Sequence, residues 1–146
     1  MAKDSSILFF HEDTTFQLKD RTIVRTWLKK VAKKEGFSIV GLNYIFCSDE
    51  YLLQINKDFL DHDYYTDIIT FDQSEVKGKI EGDIFISIDR VKDNAKTEGS
   101  TFKQELHRVL AHGVLHLTGY KDKTPKDAKK MRVKEEEALK LLKPKA

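Results

Sequence analysis

The amino-acid sequence predicts an α+β fold: a small mixed β-sheet of about four strands packed with about five helices. Four short segments are apolar, β-branched or alternating, whereas five longer segments carry apolar residues at helical spacing. The two kinds of segment do not alternate strictly along the chain, which favours α+β. The 146 residues, 40% of them hydrophobic and 34% charged, favour one domain spanning residues 1–146 with its own hydrophobic core.

The four strand candidates are short. Residues 7–10 form an apolar run, and Leu42, Tyr44 and Phe46 recur at every second position of the next candidate. This alternation is typical of a strand with one buried face. β-Branched residues indicate two further strands at residues 67–71 and 80–88.

The five helix candidates are bounded by capping residues. They are predicted at residues 18–35, from Ser48 to about residue 59, at 89–98, from Thr101 to about residue 118, and from Thr124 to about Leu142. Gly36, Gly99 and Gly119 follow three of them and can adopt the positive φ that ends a helix. Gln104, three residues after Thr101, completes a capping box at the start of the fourth helix, the long central one.

A single cysteine and the lack of a long apolar run restrict the expected location. Cys47 is the only cysteine, so no intrachain disulfide can form, which suits a reducing compartment. The N-terminal apolar run of four residues is shorter than the roughly 7–15 of a signal peptide or the roughly 20 of a membrane span. We expect a cytoplasmic protein without a membrane partner.

The most informative segment carries His112, His116 and Asp122. Two histidines four residues apart lie on one face of a helix, so both imidazoles can reach one ion. Gly119 can end the helix and turn the chain so that the Asp122 carboxylate approaches the same point. Two imidazoles and a carboxylate are an accepted zinc ligand set, and three protein ligands leave the fourth position open, as in catalytic sites. The sequence therefore predicts one Zn²⁺ ion on this tripod.

Gly113 distinguishes the spacing from that of zinc peptidases. The pattern H-x-x-x-H-x-x-G-x-x-D matches the metzincin arrangement, except that Asp122 replaces the third histidine and Gly113 replaces the glutamate after the first. In peptidases that glutamate passes a proton to the leaving amine. Without it, the site favours a phosphodiester over an amide as substrate.

The same residues, with others upstream, resemble the YbeY family of bacterial rRNA-maturation metalloenzymes. The run from His112 to Tyr120 is similar to the family signature H-G-x-L-H-L-x-G-Y. Residues 66–71 resemble T-D-V-L-S-F, residues 82–84 match G-D-I, and Met131 with residues 135–139 resembles the closing helix. The resemblance covers most of the chain, from the second strand to the last helix.

The resemblance implies a zinc-dependent, single-strand-specific endoribonuclease in 16S rRNA 3′-end maturation and ribosome quality control. Its partners would be single-stranded rRNA precursors and ribosomal subunits. The first two family zinc ligands fall on His112 and His116, whereas the third, usually histidine, is Asp122 here. Leu60 stands where many members have an arginine, and Tyr65 replaces a usual proline, so that arginine's role is not transferred to this chain.

Other groups are candidates for the chemistry around the metal. Asp67 and Asp83 are candidates for ligand orientation or proton transfer, although an aspartate at a strand end also commonly bonds backbone amides. Tyrosines that could stack unpaired bases, or simply pack, are Tyr64, Tyr65 and Tyr120. Basic residues that could hold phosphates beside the metal, or form a solvated helix face, are Lys121, Lys123, Lys126, Lys129, Lys130, Arg132 and Lys134.

Two other functions remain open on the sequence alone. The metzincin spacing is compatible with a metallopeptidase, although Gly113 argues against it. The third possibility is a non-catalytic ribosome assembly factor whose zinc stabilises the fold.

Overall fold

The computed structural model describes residues 6–142, which contain four strands and five helices. In chain order the elements are β1 (Ile7–Glu12), α1 (Arg21–Lys34), β2 (Ser38–Cys47), α2 (Asp49–Leu60), β3 (Ile68–Asp72), β4 (Lys79–Ser87), α3 (Ile88–Glu98), α4 (Phe102–Leu117) and α5 (Pro125–Leu141). The predicted α+β composition is confirmed. No helix within these residues is both long and apolar enough to span a bilayer.

The four strands form one mixed sheet in the order β1-β2-β4-β3. β2 pairs in parallel with β1 on one side and with β4 on the other, whereas β3 runs antiparallel to β4. The short connection between β3 and β4 permits only antiparallel pairing, since parallel strands need a longer crossover. The mixed sheet predicted from the sequence is therefore present.

Local capping signals set most of the helix ends. The side chains of Ser48, Thr101 and Thr124 each accept a hydrogen bond from the backbone N–H three residues later, at 3.1, 3.1 and 3.0 Å. Thr101 and Gln104 form the predicted capping box. Gly99 ends α3 with φ 70°, a conformation that glycine adopts without steric cost.

Some element boundaries differ from the sequence predictions. The second strand begins at Ser38 and ends at Cys47, because pairing with β1 and β4 extends it beyond its alternating centre. The first helix begins at Arg21, after Asp20 in the left-handed region with φ 57°. That conformation is incompatible with a helix continuing back to residue 18.

The α4 helix occupies the centre of the molecule. It packs against β3, β4, α1, α3 and α5. The buried Tyr44 hydroxyl donates to the Leu110 carbonyl at 2.8 Å, which links β2 to α4. The Trp27 indole N–H donates to the Ala138 carbonyl at 2.8 Å, which links α1 to α5. These buried bonds fix the helices against the sheet, so side chains on α4 have defined positions.

The α2 helix packs on the opposite face of the sheet. Leu52 is fully buried there against Cys47 and Ile69. Cys47 and Ile69 alternate along their strands with Phe46 and Ile68, which face the core on the α4 side, so Cys47 and Ile69 lie on the opposite face of the sheet. The sheet is thus covered by helices on both faces.

Gly113 lies where α4 packs closely against the sheet. A Cβ atom at this position would lie 2.7 Å from Ile84 Cδ1, 3.2 Å from Ile84 Cγ2 and 3.3 Å from Ile68 Cδ1. Ile84 is completely buried, so its side chain has little room to move away. A glycine is therefore needed here to let the helix approach β3 and β4.

We expect Gly113→Ala to lower the free energy of unfolding by about 1–2 kcal/mol. Overpacking a core costs about 1–3 kcal/mol, whereas the helical preference of alanine over glycine returns at most about 1 kcal/mol. Urea denaturation of the two proteins measures the difference. Adding Ile84→Val, which removes the nearest methyl group, should recover part of the loss. A Gly113→Ala protein more stable than wild type would contradict the close approach.

Candidate metal centre

His112 and Asp122 come together at the C-terminal end of α4. The helix ends at Leu117, and Gly119, with φ 114°, turns the chain back. That turn places Asp122 Oδ2 3.4 Å from His112 Nε2. Two ligands each about 2.0–2.1 Å from a tetrahedral zinc ion are separated by about 3.4 Å. The spacing between these two atoms therefore fits two ligands of one zinc ion.

His116, the other predicted ligand, lies one helical turn after His112 and is exposed. The two imidazole centroids are 6.1 Å apart, compared with about 5 Å for two imidazoles on one tetrahedral ion. Within residues 6–142, no three His, Cys, Asp or Glu side chains are grouped closely enough to hold a metal ion. The complete tripod stays a prediction, and closing it requires the exposed His116 ring to move toward His112.

Glu135 orients the His112 ring from α5. Its Oε2 atom lies 2.6 Å from His112 Nδ1, and the side chain is almost fully buried. A neutral His112 that donates its Nδ1–H to this carboxylate presents the Nε2 lone pair on the side of Asp122. This carboxylate–histidine arrangement is the usual outer support of a histidine that binds a metal.

The electrostatics of the pair follow from burial and charge. Burial lowers the pKa of His112, but the hydrogen bond and charge of Glu135, with the charges of Asp122 and Asp67, outweigh it and raise the pKa overall. Burial likewise raises the pKa of Glu135, and the contacts with His112 and Arg108 reverse that effect, so its pKa lies below the ordinary value. Glu135 is therefore an ionised carboxylate.

Arg108 neutralises the carboxylates beneath the site. Its Nη1 donates to Glu135 Oε1 at 2.7 Å, its Nε donates to Glu105 Oε1 at 3.1 Å, and its Nη2 donates to Glu105 Oε2. Only 2% of Glu105 and 2% of Glu135 are exposed. A buried carboxylate needs such a partner, since desolvation of an unpaired charge is very costly.

A cavity of about 510 Å³ opens beside these groups. Its lining residues are Tyr64, Thr66, Asp67, Ile68, Arg108, Val109, His112, Asp122, Ala128, Met131, Arg132 and Glu135. Asp67 is thus brought into the site, where Asn94 Nδ2 donates to its Oδ2 at 3.2 Å. Burial raises the pKa of Asp67, partly offset by the positive charges of His112 and Arg108.

Asp83, the other candidate for a catalytic role, does not line this cavity. Its neighbour Ile84 packs toward Gly113 of α4, and adjacent strand residues point to opposite faces of the sheet. Asp83 accepts a hydrogen bond from Asn43 Nδ2 at 3.0 Å instead. It stabilises the pairing of β2 and β4 on the opposite face.

Sequence reasoning missed Glu105 and Arg108 and gave Glu135 no role. Glu105 and Arg108 are three residues apart on a helix, a spacing that commonly marks a surface ion pair. Glu135 meets Arg108 and His112 from a helix that begins eight residues after α4 ends. No local pattern indicates this contact, because it depends on how α5 docks against α4.

The basic residues after α4 differ in their surroundings: Lys134 is ion-paired and partly buried, whereas the others are exposed. Lys134 lies 3.4 Å from Glu35 Oε2, and Tyr120 donates to Glu35 Oε1 at 2.7 Å. These contacts connect the turn before Asp122 to the end of α1. The exposed basic residues are Lys121, Lys123, Lys126, Lys129, Lys130 and Arg132. Of these, Arg132 reaches the cavity.

Comparison with known proteins matches almost the whole chain to one family. Residues 8–143 match the family model described as Endoribonuclease YbeY. A protein named Endoribonuclease YbeY from Cytophaga hutchinsonii is 72% identical over 141 residues, which cover 97% of this chain and 99% of that protein. A protein of the same name from Flavobacterium johnsoniae is 49% identical over 130 residues, 89% of this chain and 93% of that protein.

A solved structure supports the same assignment at the level of the fold. The solution structure of TM1509 from Thermotoga maritima superposes with a TM-score of 0.65 at 28% identity, covering 93% of this chain and 88% of that one. The predicted family resemblance and the α+β fold are both confirmed. The chain belongs to the endoribonuclease YbeY family.

Proposed function

We propose that this protein is a cytoplasmic, zinc-dependent endoribonuclease that cleaves single-stranded RNA in 16S rRNA 3′-end maturation and ribosome quality control. The observation that carries the proposal is the spacing of His112 Nε2 and Asp122 Oδ2 beside the buried Glu135. The endoribonuclease activity is supported by family membership. Single-stranded rRNA precursors and ribosomal subunits are the proposed partners.

The residues that would hold one Zn²⁺ ion are His112, His116 and Asp122. Two imidazole nitrogens and one carboxylate suit zinc, and they leave room for a further ligand. A Zn²⁺ ion held there would supply Lewis acidity, which suits the activation of water near neutral pH and the polarisation of a phosphate. A carboxylate at Asp122 adds negative charge and so would weaken that acidity relative to a histidine at this position.

The chain's own residues would position the RNA and carry protons. Arg132 at the cavity, with the exposed lysines from Lys121 to Lys130, provides positive charge for backbone phosphates. Asp67 is the proposed proton acceptor, because its partly buried carboxylate lines the cavity with His112 and its pKa is raised above the ordinary value.

Gly113 disfavours the metallopeptidase alternative on structural grounds. A side chain at this position would project against Ile84 and Ile68 of the sheet. The proton-carrying glutamate of zinc peptidases therefore has no space here. The non-catalytic assembly factor remains a distinct outcome of the experiment below.

We expect His116→Ala to reduce both the zinc content and the cleavage of single-stranded RNA. Cleavage should fall by at least about 100-fold, because losing a metal ligand costs more than the 10–100-fold typical of losing a residue that only orients a ligand. Asp122→Ala should reduce zinc content in the same way. Metal analysis and a gel assay on a labelled oligoribonucleotide measure the two effects. His11→Ala, an exposed histidine on β1, is the matched control and should retain both properties.

Three outcomes separate the alternatives. Cleavage that persists in His116→Ala would refute the proposed zinc site. Zinc binding by a wild-type protein that cleaves no RNA, with zinc removal lowering the melting temperature, would favour the assembly factor. Zinc-dependent cleavage of a peptide library would favour the peptidase.

A further inference from the structure

The structure separates the three tyrosines that could stack on RNA bases. The Tyr120 hydroxyl donates a hydrogen bond to Glu35. The Tyr65 ring lies 5.1 Å from the Arg90 guanidinium, and the Tyr65 hydroxyl donates to Glu50. Tyr64 alone of the three lines the cavity that contains His112 and Asp122. Although they are neighbours with 49% and 46% exposure, Tyr64 and Tyr65 therefore have different surroundings.

The loop that carries Tyr64 is held in place by a buried amide. Asn56 on α2 is 1% exposed, and its Nδ2 donates to the Tyr64 carbonyl at 3.1 Å and to Thr66 Oγ1 at 3.2 Å. The backbone carbonyl of Asn56 accepts from the His62 backbone N–H at 3.0 Å. These bonds anchor both sides of the loop, so the backbone of Tyr64 is fixed relative to the cavity.

The Tyr64 ring remains half exposed although its backbone is fixed. Its hydroxyl lies 3.1 Å from His62 Nδ1, and the two ring centroids are 4.9 Å apart with a tilt of 55°. An aromatic ring at the edge of a cavity, on an ordered backbone and outside the core, provides a flat apolar surface for a planar ligand.

From these observations we propose that Tyr64 is the base-stacking residue of the site, which contacts an unpaired nucleobase next to the phosphate held in the cavity. This inference rests on the proposed RNA substrate and deepens it. A base within a duplex is covered by its neighbours, whereas an unpaired base offers a free π-face. Stacking on Tyr64 thus gives a physical reason for selecting single strands without reading their sequence.

The test compares RNA affinities of four proteins: wild type, Tyr64→Ala, Tyr64→Phe and Tyr65→Ala. Fluorescence anisotropy with a labelled 12-nucleotide single strand gives the dissociation constants. The RNA is recovered from the same samples afterwards to verify that it was not cleaved during the measurement. Loss of one stacked base weakens binding about 5- to 150-fold, so Tyr64→Ala should fall in this range. Tyr64→Phe keeps the ring and should stay within about twofold of wild type, as should Tyr65→Ala.

An oligonucleotide that lacks one base can identify which base stacks on Tyr64. Oligonucleotides with one abasic position should bind wild type more weakly when the stacked base is missing, and Tyr64→Ala should show no further loss for that oligonucleotide. Binding of a 12-base-pair RNA duplex should be unchanged by Tyr64→Ala. Thermal melting of each variant by circular dichroism establishes that the fold is retained.

The outcomes distinguish this inference from the proposed function. Equal affinity of Tyr64→Ala and wild type, or an equal loss in Tyr65→Ala, overturns the stacking role even if the protein cleaves RNA. An equal loss for duplex and single strand also overturns it. Ring-dependent binding by a protein that cleaves no RNA supports the stacking role while the nuclease proposal fails.

Discussion

Replacing Arg108 with methionine should lower the free energy of unfolding by about 3–5 kcal/mol at neutral pH. Methionine keeps most of the volume of the side chain, so the main change is the loss of positive charge. Glu105 and Glu135, each 2% exposed, then lose the guanidinium that bonds both of them. Removing one partner of a buried ion pair costs this much because the remaining charge stays desolvated. Urea denaturation at pH 7 measures the effect.

The pH dependence of this loss of stability shows whether it comes from lost charge pairing or from lost packing. In the wild type the pKa of Glu135 is below its ordinary value, so its ion pair stabilises the fold above the unfolded pKa and is lost as the pH falls. In Arg108→Met, Glu135 loses the guanidinium that lowers its pKa, so it takes up a proton at a higher pH than in the wild type, and this protonation relieves the variant as the pH falls. The difference between the two proteins should therefore shrink from pH 7 to pH 5. A constant difference would indicate lost packing instead.

Arg132→Met is the matched control. Arg132 also approaches Glu135, at 3.8 Å, and it pairs with Glu98 at 3.2 Å, but 45% of its side chain is exposed. Exposed ion pairs contribute about 0–1 kcal/mol, so the same substitution should change stability by less than about 1 kcal/mol. Equal losses in the two variants would contradict the view that burial makes Arg108 essential.

The parts of the fold that the sequence predicts are those that local chemistry determines. Ser48, Thr101 and Gly99 end or begin helices in the structure where their capping preferences indicate. The alternation of Leu42, Tyr44 and Phe46 identifies the central strand. In each case the residues that determine the structure are within a few positions of each other, so the pattern is visible along the chain.

The parts that cannot be predicted depend on contacts between distant segments. The order β1-β2-β4-β3 brings Asn43 to Asp83 across 40 positions, and this pairing takes Asp83 away from the cavity. Asp67 and Asp83 have similar sequence contexts, each preceding an isoleucine at a strand. Only the packing of the sheet distinguishes them: Ile84 of β4 faces α4, so Asp83 lies on the opposite face, whereas Asp67 lines the cavity.

The candidate site shows the same division. The positions of His112 and Asp122 follow from helical spacing and a glycine turn, both local features. Glu135 enters from α5, whose docking depends on many apolar contacts, among them the buried Met131 and Ala138. A sequence pattern can therefore propose metal ligands, whereas the groups that orient and neutralise them become visible only in the packed structure.

The second large effect is expected for Gly82→Ala, which should lower the free energy of unfolding by about 3 kcal/mol or more. A Cβ atom at Gly82 would lie under 3.0 Å from the carbonyl oxygen of Phe71. That atom belongs to the backbone of β3 and cannot rotate away, so relief requires β3 to move from β4. This cost is at or above the upper end of the usual 1–3 kcal/mol for overpacking. Denaturant unfolding measures it.

The same substitution should also reduce activity, because β3 starts directly after Thr66 and Asp67, two lining residues of the cavity. Gly41→Ala on the neighbouring strand β2 is the control. Its Cβ would meet only Glu81 side-chain atoms at 3.7 and 3.8 Å, an ordinary contact, so stability should stay within about 0.5 kcal/mol or rise by up to about 1 kcal/mol. If Gly82→Ala behaved like Gly41→Ala, the close approach of β3 to β4 would be wrong, and with it the placement of Asp67 beside His112.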